Sequence, residues 1–270
     1  MTTGMQAAPR IAIPEPTLDD KEYNQRSWPQ YARAVEASGG VAVKIPLDAA
    51  PAEVARLASG CQAVLLPGSG ADVNPEKYGE EPIAECGRPD PAREAVDELL
   101  MQDAANLHKP LFGICYGLQA WNVWRGGALV QDLVMQTATP VNHKPGREVR
   151  DAHAVRIAPG SKLAGIVHGS RLTVNSSHHQ ALAKPGDGLA TVAWSADDEV
   201  IEAVEGIGDQ FVLGVQWHPE RTADDPASRA LFDAFLTAAR QWQPRVIHES
   251  VVSASMNADP ESAVPAASLK

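Results

Sequence analysis

The chain has 270 residues, 44% of them hydrophobic, a formal net charge of −11 and only three cysteines, Cys61, Cys86 and Cys115. That length supports one large core, or a core with a small subdomain, and the composition is that of an ordinary globular protein. The acidic balance without a basic block argues against a nucleic acid or an anionic membrane as partner, and three cysteines without C-x-x-C spacing exclude a disulfide framework.

In chain order, 11–13 reads as a short apolar strand, followed by a helix over 27–38 that Gly39-Gly40 ends. A strand at 41–46, a helix at 51–59 and a strand at 63–66 come next. Asp90 caps a helix that carries Pro91 in its first turn and runs to about 107. Residues 111–114 form a further strand. Strands alternating with helices predict a mostly parallel sheet covered by helices on both faces. Past Gly126 the rhythm changes. Short strands at 153–157, 171–174, 189–194 and 200–204, punctuated by Pro159-Gly160 and Pro185-Gly186, predict a smaller antiparallel sheet beside the parallel one. After the apolar run at 211–217, Ala227, Ala230, Leu231, Ala234, Phe235 and Ala238 recur at helical spacing and predict a closing helix over 225–241. Residues 8–243 are expected to form a single catalytic domain, and 244–270, rich in Ala, Ser, Val and Pro, a flexible tail. Residues 1–10 hold no apolar core of a signal peptide, and no stretch is long enough to span a bilayer. A reducing cytoplasm would suit a reactive thiol.

The chemistry concentrates at two places. The strand at 111–114 runs into Cys115-Tyr116-Gly117-Leu118-Gln119, which reads as a tight strand-to-helix elbow with Gly113 and Gly117 as the small neighbours such a turn demands. There the thiol projects above the sheet, and the free N–H groups of the helix N-terminus favour its thiolate. A hundred residues on, Pro219 keeps His218 extended, so that Glu220, two residues along, falls on the same face and can orient the imidazole. Thiol, imidazole and carboxylate are the parts of an activated cysteine nucleophile. Gly68-Ser69-Gly70, after the strand at 63–66, is a candidate for main-chain oxyanion donors, with the Tyr116 N–H as the second donor. His178 and His179 are adjacent in an extended segment and so face opposite ways, and no acidic or cysteine residue lies nearby at ligand spacing; no metal site is expected. Cys61, Cys86, Trp121 and Trp124 read as core residues.

The elbow and the His218-Pro219-Glu220 triplet resemble those of the class I glutamine amidotransferase superfamily. Three further stretches resemble its peptidase C26 branch, typified by γ-glutamyl-γ-aminobutyrate hydrolases. They are 65–75 with Tyr78-Gly79-Glu80, Asp90-Pro91-Ala92-Arg93-Glu94, and 174–180. The resemblance covers about 10–241. It implies a flavodoxin-like three-layer α/β sandwich and a Cys115-His218-Glu220 triad that cleaves γ-glutamyl amides through a thioester, as in polyamine catabolism. It also implies an oxyanion hole at Gly68, Ser69 and Tyr116, and contacts from Gln119, Asn175, Ser176 and Ser177 to the α-amino and α-carboxylate groups of a small γ-glutamyl substrate. It calls for no metal or organic cofactor, no nucleic-acid or membrane partner and a cytoplasmic location, and leaves a homodimer open. Position 116 is often arginine in this branch and is tyrosine here. The leaving amine is expected near Tyr78, Tyr116 and the N-terminal segment. Two other readings stand beside this one: a glutaminase subunit that passes ammonia to a synthetase, and a regulatory binding protein on an inactive scaffold.

Overall fold

Apolar runs of four or five residues bounded by turns become the central strands of the computed structural model, which describes residues 7–244. The elements are β1 (Arg10–Pro14), α1 (Lys21–Ala37), β2 (Val41–Ile45), α2 (Pro51–Ser59), β3 (Ala63–Leu66), α3 (Pro91–Leu107), β4 (Leu111–Ile114), α4 (Tyr116–Trp124), β5 (Ala128–Val130), α5 (Leu133–Gln136), β6 (His153–Ile157), α6 (Lys162–Val167), β7 (Arg171–Val174), β8 (Ala181–Lys184), β9 (Leu189–Ser195), β10 (Ile201–Gly206), β11 (Val212–Val215) and α7 (Pro226–Gln241). The expected tail, from residue 245 on, lies outside the described residues. Among the described residues no helix is long and apolar enough to cross a membrane.

Strands β2-β1-β3-β4-β11 are parallel, and the antiparallel strands β10-β9-β6-β7 continue the same hydrogen-bonded sheet from β11, with β8 on β10 and β5 on β8. The seam is β11, parallel to β4 on one side and antiparallel to β10 on the other.

Because strand side chains alternate, each buried strand feeds two cores. Ile11, Ile13, Leu65, Phe112, Ile114, Leu213 and Val215 pack on α1, α6 and α7. Ala12, Val64, Leu66, Leu111 and Val212 pack on α2, α3 and α4. The Asp90 carboxylate accepts the Arg93 N–H at 3.0 Å, which starts α3 as expected. Helix α1 begins six residues before its expected start. Asp20 caps it by accepting the Tyr23 N–H at 2.8 Å, and Pro29 lies inside the helix rather than in its first turn. That proline forgoes one backbone hydrogen bond, and burial of Tyr31, Ala34 and Val35 holds the helix in place.

Candidate active site

The elbow is built by close approach of α4 to the sheet. A Cβ on Gly117 would lie 2.1 Å from the Leu66 carbonyl oxygen, and one on Gly113 would lie 2.9 Å from the Gly117 backbone. Both expected elbow glycines are therefore required by contact. Cys115 stands between them at φ 52° and ψ −109°, a conformation that costs a non-glycine residue of order 1–3 kcal/mol. Its N–H donates to the Val215 carbonyl of β11 at 2.8 Å, and its carbonyl accepts the Gln119 N–H at 3.1 Å. The surrounding sheet and helix thus hold the strain.

His218 follows β11 and is 2% exposed. Its Nδ1 bonds Glu220 Oε1 at 2.8 Å. Asn175 clamps its backbone twice: the His218 N–H donates to Asn175 Oδ1 at 2.9 Å, and Asn175 Nδ2 donates to the His218 carbonyl at 2.8 Å. Gly68 marks how tightly the site is packed. A Cβ there would lie 2.9 Å from His218 Cε1, 3.1 Å from the Tyr31 hydroxyl and 3.6 Å from Cys115 Cβ.

Burial governs the protonation states. It pushes the Cys115 thiol up to about 12, with Arg221 and the Tyr116 N–H opposing it only in part. It also pushes the His218 imidazole below its ordinary value, against the pull of Glu220. Glu220 is buried too, which alone would raise its carboxyl, but His218 and Arg221 hold it below the usual range. At neutral pH the resting pair is therefore a thiol and a neutral imidazole. The Tyr116 N–H at the helix N-terminus does favour the thiolate, as expected, but desolvation of the buried sulfur outweighs it.

Cys115 and His218 open on one pocket of about 240 Å³, which Ser69, Gly70, Tyr116, Gln119 and Ser177 also line. Several expected substrate contacts are committed elsewhere. The Gly68 N–H donates to the Tyr31 hydroxyl at 3.0 Å, so it is not free as an oxyanion donor. Asn175 holds His218, and the buried Ser176 hydroxyl donates to the His143 carbonyl at 2.7 Å. Both side chains are spent on backbone groups: Asn175 satisfies the His218 N–H, which burial would otherwise leave unpaired, and Ser176 adds a second bond to the His143 carbonyl. Gln119 is positioned by bonds from its Nε2 to the Gln180 carbonyl and Gln216 Oε1, at 3.0 and 3.2 Å.

Sequence reasoning missed the pocket's cationic wall, Arg26, Lys144, Arg147 and Arg221, as well as Tyr23 and Tyr31. Tyr23 and Arg26 fall in the first turns of α1, ahead of the helix start that the sequence pattern predicts. Tyr78 packs into the α2–α4 core instead of lining this pocket. The Tyr116 ring lies under the Arg93 guanidinium at 4.7 Å. Arg93 is itself fully buried. It bonds Asp97 at 2.8 Å and donates to the carbonyls of Pro16 and Pro67, tying together the chain after β1 and after β3. Cys61 is buried as expected, but Cys86 is only half-buried, in a loop outside any strand or helix.

His178 and His179 do face opposite ways. His179 bonds Asp72 at 2.9 Å and Asp132 at 3.1 Å, beside the pocket. The expectation that no acidic partner lies near them fails on both faces: His178 meets Glu202, with His143 and His153 alongside. The partners come from distant segments, which local spacing does not register.

The fold is that of the class I glutamine amidotransferases. It aligns with the crystal structure of a Thermoplasma acidophilum protein, provisionally described as part of a GMP synthase, with a TM-score of 0.55 and 15% identity, over 86% of this chain and 94% of that one. The family model of peptidase C26 matches residues 13–220, and the chain belongs to that family. It is 37% identical, over 80% of its own length and 68% of the relative's, to a Mycobacterium tuberculosis protein provisionally named a glutamine amidotransferase. It is 33% identical, over 78% and 85% respectively, to the γ-glutamyl-γ-aminobutyrate hydrolase PuuD of Escherichia coli strain K12. The chain is accordingly a glutamine amidotransferase-like hydrolase.

Proposed function

We propose that the protein hydrolyses γ-glutamyl amides of small amines, γ-glutamyl-γ-aminobutyrate among them, with Cys115, His218 and Glu220 as its catalytic residues. One observation carries the reading: an imidazole fixed by a buried carboxylate at 2.8 Å borders the same pocket as the strained elbow thiol. The wall of Arg26, Lys144, Arg147 and Arg221 suits a substrate bearing carboxylates.

His218 takes the thiol proton as Cys115 sulfur attacks the γ-carbonyl carbon, so the charged sulfur never has to form in the buried resting site. The negative charge moves to the carbonyl oxygen. Ser69 and Tyr116 line the pocket beside Cys115, and their main-chain N–H groups are the donors we assign to that oxygen, each donor of this type being worth about 2.7–4 kcal/mol. As the C–N bond breaks, His218 returns the proton to the departing amine, leaving a γ-glutamyl thioester. Water, deprotonated by His218, then attacks the thioester and releases glutamate and the thiol. Glu220 keeps the His218 Nδ1–H directed away from sulfur and stabilises the transient imidazolium.

The test is glutamate release from a panel of γ-glutamyl amides and from glutamine, by wild type and Cys115→Ala. The expected result is a higher kcat/KM for at least one amide than for glutamine, and loss of all turnover in Cys115→Ala with an unchanged circular dichroism spectrum. Residual turnover in that variant would overturn the nucleophile. A preference for glutamine over every amide would instead assign an ammonia-donating glutaminase.

A further inference from the structure

Outside the catalytic pocket, three imidazoles and one carboxylate converge in the protein interior. His143 comes from the segment before β6, His153 opens β6, His178 follows β7 and Glu202 lies in β10. All four are buried, Glu202 completely. His143 Nδ1, His153 Nε2 and His178 Nε2 lie 3.3, 3.4 and 3.5 Å from the same oxygen, Glu202 Oε1. The four atoms all lie within 4.8 Å of one another. None of them has a hydrogen-bond partner.

The outward nitrogens explain why. His143 Nε2 bonds Asp198 Oδ2 at 2.9 Å, His178 Nδ1 bonds the Gln180 carbonyl at 3.0 Å, and His153 Nδ1 faces the Ala154 carbonyl at 3.4 Å. Each of these partners accepts, so each outer nitrogen carries the proton and each inner one presents a lone pair. Three lone pairs and a carboxylate oxygen then point at one another in a site closed to water. Such an arrangement is repulsive unless positive charge, a metal ion or an added proton, sits at its centre.

We propose that His143, His153, His178 and Glu202 form a structural zinc site. Nitrogen and carboxylate donors in this number suit tetrahedral zinc. Four ligands at zinc bond lengths would stand about 3.3–3.4 Å apart along a tetrahedral edge, close to the three separations from Glu202 Oε1. The outer acceptors supply the carboxylate and carbonyl partners that orient metal-bound imidazoles. With all four positions taken by protein, the ion has no open place for water and serves folding rather than chemistry. Its effect would reach the pocket through the backbone. The Ser176 hydroxyl and the His178 N–H both donate to the His143 carbonyl, at 2.7 and 3.0 Å. Coordination would therefore join the segment bearing Lys144 and Arg147 to the one bearing Asn175 and Ser177.

The experiment uses the full chain, expressed without a histidine tag and purified without chelator. Elemental analysis should find one zinc per chain retained through gel filtration. Stripping with dipicolinate should lower Tm, and zinc sulfate should restore it. At free zinc a thousandfold above Kd the expected rise is about 8–16 °C. Cobalt(II) in place of zinc should give the visible bands of a tetrahedral site without thiolate charge transfer, in wild type and Cys115→Ala alike. Glu202→Gln and His153→Ala should lose the metal; if either fails to fold, stripping and restoring the wild type decides. No zinc above background together with a Tm that added zinc leaves unchanged would overturn the proposal and leave a proton-sharing His–Glu cluster. So would zinc that persists in folded Glu202→Gln and His153→Ala, or that disappears in Cys115→Ala.

Discussion

Asn175 offers a sharp division between two roles. The family resemblance assigns it to the substrate, whereas its side chain spends both polar atoms on the His218 backbone, at 2.8 and 2.9 Å. Asn175→Ala would leave the buried His218 N–H unpaired, while the His218 carbonyl would keep its bond from the Arg221 N–H at 3.1 Å. One unpaired buried donor costs about 1–3 kcal/mol, part of a total stability that for a domain is of order 5–15 kcal/mol. The variant should fold, with Tm lower by roughly 2–12 °C for a chain of this size. Freed from its clamp, His218 would drift by a fraction of an ångström to an ångström, and misplacement of that order costs about 10²-fold in rate. In steady-state hydrolysis of γ-glutamyl-p-nitroanilide, followed by nitroaniline absorbance, kcat should fall about 10²-fold with KM little changed. A raised KM with kcat preserved would refute the clamp and return Asn175 to the substrate.

Four other outcomes are expected. Since burial holds the Cys115 thiol up to about 12, its alkylation by iodoacetamide, read by peptide mass mapping, should rise about tenfold per pH unit from pH 7 to 10; a plateau below pH 8 would reveal a preformed thiolate. His218 is needed neutral and its value is lowered, so kcat/KM should be lost only as pH falls below its ordinary 6.5; an acid limb centred above pH 7 would contradict this. His218→Ala should cost about 10²–10⁴-fold in kcat and Glu220→Gln less, because Glu220 orients the base without moving the proton to substrate; the reverse order, measured in the same assay, would exchange their roles. Gly117→Ala should lower stability by about 1–3 kcal/mol or more, as its Cβ would meet the Leu66 carbonyl oxygen at 2.1 Å; an unchanged melting curve would show that α4 has room to shift.

The parts of this fold that were legible in the sequence are those whose physics is local. Strand β3 is four apolar residues, fully buried, and α3 starts where Asp90 and Pro91 say it must. The elbow was legible because two glycines flank one cysteine. Strands β5 and β8 were missed: they are three and four residues long and gain their identity only by pairing, β5 with β8 and β8 also with β10. The pocket wall failed for the same reason at longer range. Arg26, Lys144, Arg147 and Arg221 are ordinary charges in sequence until folding places them around one cavity. Glu202 did leave a signal. A carboxylate inside the run Ile201-Glu202-Ala203-Val204 is buried and must be partnered, though nothing nearby says that the partners are His143, His153 and His178.

The pairing of β4 with β11 has a consequence for how substrates can change. Cys115 directly follows β4, His218 comes shortly after β11, and the Cys115 N–H to Val215 bond ties the two chain segments together. Neighbouring strands stand about 4.7–4.9 Å apart in any sheet, so the ladder brings the two chain segments side by side, and the Asn175 clamp on the His218 backbone then fixes the imidazole. The cationic wall, by contrast, comes from α1, from the segment before β6 and from the turn after His218. Substituting Lys144 or Arg147 in the segment before β6 therefore alters which amide is admitted, while the His143 carbonyl keeps its bonds to Ser176 and His178 and the attacking pair stays in place. A designer seeking a different leaving amine should mutate there, and can expect the elbow chemistry to survive the change.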